Sequence, residues 1–64
     1  MHIKILDKKG DFQGYIKGIS IFYNRVDTTP YTNEAKTYNN KEDAINDISI
    51  IDRLINEKLN CKIE

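Results

Sequence analysis

Residues 41 to 60 contain no Gly and no Pro, and Ala44, Ile48, Ile51, Ile55 and Leu59 recur within them at steps of four, three, four and four. That spacing puts the five side chains on one stripe of an α-helix. At 1.5 Å per residue such a helix would reach about 30 Å. Asn40 stands where a side-chain oxygen can cap the first turn, and Glu42 and Asp43 fall where negative charge meets the positive end of the helix dipole. Lys58 and Lys62 would complement the other end. A single helix cannot bury its stripe alone, so the rest of the chain must supply the opposing surface.

The rest of the chain is strand-like. Residues 2–6 alternate, with Ile3 and Ile5 expected on the core side. Residues 7–11 read as a turn, with Gly10 free to take a positive φ. Residues 12–26 are rich in Ile, Phe, Tyr and Val and read as one long strand. Neither parity of that run is cleanly apolar, so a bulge or bend is expected near Gly18, with Gly14 easing the entry. Residues 27–30 break the run, Pro30 holding Thr29 extended. Residues 35–38 read as a last short strand. The expected fold is a single α+β domain over residues 1–64, a β-β-β antiparallel sheet covered by one C-terminal amphipathic helix.

A chain of 64 residues is marginal on its own. It carries one cysteine, Cys61, and one histidine, His2, so neither an internal disulfide nor a His/Cys metal cluster can staple it. Stability must come from one packed core, alone or with a partner or second copy. No apolar run approaches a membrane span, and the start from Met1 to Lys4 has no apolar leader core, so a cytoplasmic location is expected.

Ten basic residues balance ten acidic ones. That balance argues against a sequence-tolerant nucleic-acid binder, which is usually basic, and against an acidic nucleic-acid mimic. The charges are nonetheless segregated, with a net +3 over residues 1–25 and a net −3 over residues 26–64. A modest attraction between sheet and helix accounts for this more simply than two binding faces, because exposed charges are screened within about 10 Å.

The apolar stripe of the helix is wider than one sheet needs. Ile45 flanks one side, and Ile50 and Leu54 flank the other. Burying an Ile or Leu gives about 1.5–3 kcal/mol, so two left exposed forfeit several. Either the helix sinks deeply into a curled sheet, or Ile50 and Leu54 form a contact with a second copy.

Catalytic motifs are missing: no Gly-rich phosphate loop, no CxxC and no nucleophile elbow. Asp43, Asp47 and Asp52 are the carboxylates to consider, but acids near a helix start ordinarily serve the dipole. A non-enzyme without cofactor or metal is expected. Tyr15, Tyr23, Tyr31 and Tyr38 all fall in the strand region, and Tyr15, Lys17, Tyr23 and Arg25 share one strand parity. Core packing is the first reading of such tyrosines, a protein interface the second and base stacking the third. The polar loop carrying Thr29, Pro30 and Tyr31 is a further contact candidate.

Ala35, Lys36 and Tyr38, followed by Lys41, Glu42, Asp43 and Ala44, with Asp47 and Ile48 beyond them, form a recognisable series. It resembles the ends of small proteins from phages and prophages of low-GC Gram-positive bacteria, with an Ala-Lys-x-aromatic strand, a polar cap and a Lys-acid-acid-Ala helix start. The resemblance spans about the last half of the chain and carries no catalytic residues. It implies an inhibitor that binds and occludes a host protein, anti-CRISPR and other anti-defence proteins among them. The expectation is therefore a protein-binding module using Tyr15, Lys17, Tyr23, Arg25, Thr29, Pro30 and Tyr31, with Ile50 and Leu54 as a homodimer contact. A nucleic-acid-binding accessory protein on the same sheet face is the alternative, and a structural homo-oligomer a third.

Overall fold

The computed structural model describes residues 1–55 and 59–64. The chain runs β1 (Ile3–Leu6), β2 (Phe12–Ser20), β3 (Arg25–Thr29), α1 (Lys41–Leu54) and β4 (Asn60–Ile63). The strands form one antiparallel sheet in the order β3-β2-β1-β4, and the α+β class holds.

Alternation in β1 sends Ile3 and Ile5 to one side, where they are buried with Ile16 of β2. Ala44 and Ile51 of α1 and Tyr38 complete this cluster, and Ile48, Ile55 and Leu59 pack against it. The predicted stripe is thus the buried face of the helix and its immediate continuation. Asn40 caps the helix, its Oδ1 accepting from the Asp43 N–H at 2.9 Å. Gly10 turns the β1–β2 connection at φ 89°, and Asp7 Oδ1 accepts from the N–H groups of Lys9 and Asp11.

Three expectations are corrected. The run over residues 12–26 is a hairpin, not one strand. Residues 21–24 reverse the chain, the Asn24 N–H donating to the Ile21 carbonyl at 3.3 Å. Asn24 sits at φ 50°, a left-handed conformation that Asn tolerates better than most residues. The irregularity near Gly18 is present, however: the β2–β3 register shifts between Ile16 and Gly18, leaving Lys17 as the extra residue. A second shift leaves Gln13 as an extra residue beside Gly14, whose φ is 144° and where a Cβ would meet Thr28 Cβ and the Thr29 carbonyl at 3.3 Å.

Residues 35–38 are irregular and join no ladder. They are tied by single bonds, Lys36 N–H to the Ile16 carbonyl and Tyr38 N–H to the Met1 carbonyl, both 2.8 Å. The helix stops at Leu54 instead of continuing to residue 60, with Ile55 as an extended C-cap, and β4 follows it as the last element. Arg53 supplies the positive charge of the last turn. Lys62 lies on β4, and Lys58 falls outside the described residues. The reason lies in the alternation of Cys61, Lys62, Ile63 and Glu64. Paired with β1, it turns Cys61 and Ile63 toward the core opposite Ile5 and Ile3.

Candidate functional site

The helix covers one side of the sheet, and two other surfaces carry side chains of interest. The first is the β2–β3 hairpin. At its tip Ile21, Phe22 and Tyr23 are 65%, 88% and 73% exposed. Phe22 and Tyr23 stack edge to face with centroids 5.0 Å apart, so they form a small apolar knob. Monomeric surfaces seldom leave three successive large apolar side chains in water. Behind the knob runs β3, one of the two sheet edges. Arg25 and Asp27 lie on its same face in an exposed ion pair of 3.1 Å, so the edge has little net charge. Pro30 and Tyr31 follow, both exposed. Thr29 is buried: its hydroxyl donates to Glu34 at 3.2 Å and accepts from the Tyr31 N–H at 3.2 Å, which fixes the loop.

The second surface is the side of the sheet turned away from α1. Tyr15, opposite in parity to the buried Ile16, lies there with Phe12 and His2 at centroid distances of 5.2 and 6.0 Å, both edge to face. Leu6, register partner of Phe12, is buried but stands apart from the helix-side cluster. Lys4 is paired with Lys62 across β1 and β4, with its Nζ 5.6 Å from the Phe12 centroid and 3.6 Å from Glu64 Oε1. Lys17, on the bulge, is exposed.

The hairpin therefore separates the four residues grouped by parity. Tyr15 and Lys17 belong to β2, Tyr23 to the tip and Arg25 to β3. Tyr23 and Arg25 lie at the tip end of β3 beside Ile21 and Phe22, which sequence reasoning took for strand interior, while Pro30 and Tyr31 follow its far end. Asn24 was the available signal for the turn, and the apolar run before it masked that signal. Phe12, Lys4 and Lys62 were also missed. For Lys4 the signal was the polar half of the alternation with Ile3 and Ile5. Ile50 and Leu54 are half-buried on the flank of α1, outside the side chains packed on the core cluster.

A polar groove of about 340 Å³ lies between α1 and residues 36–39. Its floor is a three-residue link. Asp47 Oδ2 accepts from the Tyr38 hydroxyl at 2.5 Å and from Lys36 Nζ at 2.8 Å. Burial alone would raise the Asp47 pKa, but the bonds from Lys36 and Tyr38 and the Lys36 charge outweigh it and hold the carboxyl below its ordinary value. Burial, then the bond to Asp47 and its charge, push the Tyr38 hydroxyl well up. Both groups are thus fixed in their ordinary neutral-pH forms, carboxylate and phenol, and the link holds helix to sheet. Burial, reinforced by Asp52, likewise raises the Cys61 thiol, which keeps it in the unreactive protonated form.

No helix among the described residues is long and apolar enough to cross a membrane. The chain matches no protein-family model, no curated protein and no solved structure.

Proposed function

We propose that this chain is a non-enzymatic protein-binding module whose contact surface is the β2–β3 hairpin tip and the β3 edge. The observation that carries the reading is the exposure of Ile21, Phe22 and Tyr23 as one apolar knob beside a strand at the sheet edge. An edge strand offers a row of backbone donors and acceptors to another chain, and flanking apolar side chains supply the buried area. The resemblance carried by residues 35–44 points to a bacterial host protein, occluded and not modified, with a defence component as the first class to test.

The outer sheet face supports a second reading, single-stranded nucleic acid held by Lys4 and Lys62 and stacked on Phe12 and Tyr15. It ranks second because Glu64 offsets Lys4, the rings pack on one another, and the whole chain is neutral.

Affinity capture of the tagged chain from bacterial lysate, with and without nuclease, separates the two. A protein partner that survives nuclease, is lost with F22D/Y23D and is kept with K4A/K62A supports the protein-binding reading. Capture that vanishes with nuclease and with K4A/K62A, while F22D/Y23D leaves it intact, establishes the second reading instead.

A further inference from the structure

We infer that the β3 edge pairs antiparallel with the β3 edge of a second copy, joining two four-stranded sheets into one of eight strands. This rests on the reading of the hairpin and β3 edge as a protein-binding surface, and names a second copy, which a host protein would have to displace, as its occupant. Of the two sheet edges, β3 is the more open. The other, β4, is four residues long and carries Lys62, a residue type that guards edges against pairing. The five residues of β3 carry no Lys and no Pro, Pro30 coming only after the strand ends, and its two charges, Arg25 and Asp27, neutralise each other.

The edge is complementary to itself. In an antiparallel pair centred on Val26, Arg25 of each copy stands opposite Asp27 of the other, and both lie on the same face. The ion pair now made within each strand at 3.1 Å is exchanged for two between strands. Val26, half-buried against the core, meets its own counterpart at the symmetry axis. Antiparallel pairing also sets the N-terminal flank of one strand beside the C-terminal flank of the other. The exposed Ile21, Phe22 and Tyr23 of each copy are thereby brought toward the exposed Pro30 and Tyr31 of the other. One contact thus covers the open edge and the apolar side chains at both of its ends, as a self-complementary interface requires.

Sedimentation equilibrium over a concentration series tests this. The wild-type chain is expected to pass from monomer to dimer. R25D and D27R each place like charges opposite one another and should raise the dimer Kd at least about tenfold. An equimolar mixture of R25D and D27R should recover dimer. In the mixed pair one strand carries two carboxylates and the other two guanidinium groups, so opposite charges face each other at both positions. The mixture leaves the pair within each strand broken, so a role confined to one chain cannot produce the recovery. Both side chains are exposed, and circular dichroism checks that the variants fold. If either variant fails to fold, Y31D provides the same test from the far end of the edge, with weaker dimerisation expected.

A wild-type dimer unaffected by R25D, D27R or Y31D overturns the inference, as does a mixture that stays monomeric. A wild-type chain that stays monomeric also overturns it. In that case, loss of a captured partner with F22D/Y23D leaves the protein-binding reading standing, and no loss retires both.

Discussion

Tyr38→Phe removes one oxygen from the link between residues 36–38 and the helix and leaves the ring in place. The ring is buried in the core, so packing is conserved and the change isolates the hydrogen bond to Asp47. A hydrogen bond to a charged group contributes about 1.5–3 kcal/mol. Asp47 keeps its bond to Lys36 and its side chain retains some access to water, so the lower end applies. We therefore expect a loss of about 1.5 kcal/mol at pH 7, and a fall in Tm of roughly 6–12 °C for a domain of this size. The pH dependence follows from Asp47. Its folded-state pKa is depressed, so the stability it contributes is present above the unfolded value, about 3.9, and is lost as pH falls through the folded value. Below that depressed folded value the acceptor becomes a neutral carboxyl, and the difference between wild type and Y38F should shrink by roughly half. Urea unfolding of both proteins at pH 7 and pH 2 measures it. A loss under about 0.5 kcal/mol at pH 7, or an equal loss at both pH values, would refute the role assigned to the link.

The fold and the hairpin make further predictions. Ile16→Ala and Ile51→Ala, each emptying a fully buried site, should cost about 2–5 kcal/mol, enough to leave much of so small a domain unfolded at 25 °C, as read by circular dichroism. Asn40→Ala should cost about 1 kcal/mol in urea unfolding, since the Asp43 N–H loses its cap. Gly14→Ala should cost more than about 1 kcal/mol, because φ is 144° and the added carbon would come within 3.3 Å of Thr28 Cβ and the Thr29 carbonyl. F22D/Y23D should leave the unfolding free energy within about 0.5 kcal/mol of wild type, since both side chains are exposed.

The parts of this structure legible in the sequence are those where periodicity and local chemistry agree. Ile3 and Ile5, the Asn40 cap, the buried stripe through Ile51 and the turn at Gly10 follow from spacing and from single-residue preferences. The hairpin was hidden because Ile21, Phe22 and Tyr23 have strand propensity yet sit on a turn, where only the left-handed Asn24 discloses the reversal. The fourth strand was hidden for the opposite reason. The helical stripe extends through Ile55 and Leu59 into residues whose better partner is distant in sequence, the β1 edge. Long-range pairing of that kind overrides local propensity and leaves only a short alternation as its mark. The contact residues divide likewise: the turn sets Tyr23 and Arg25 at one end of β3, Pro30 and Tyr31 follow its other end, and Thr29 is drawn inward by Glu34.

The pairing of two copies of this chain through the hairpin and the β3 edge is the central claim. Two-dimensional ¹H–¹⁵N spectra recorded over a dilution series test it residue by residue. Concentration-dependent shifts should concentrate in residues 21–31, with Ile50, Leu54, Lys4 and Lys62 unmoved. Shifts centred on Ile50 and Leu54 or on the Lys4 and Lys62 face, or spectra that do not change with concentration, would contradict it.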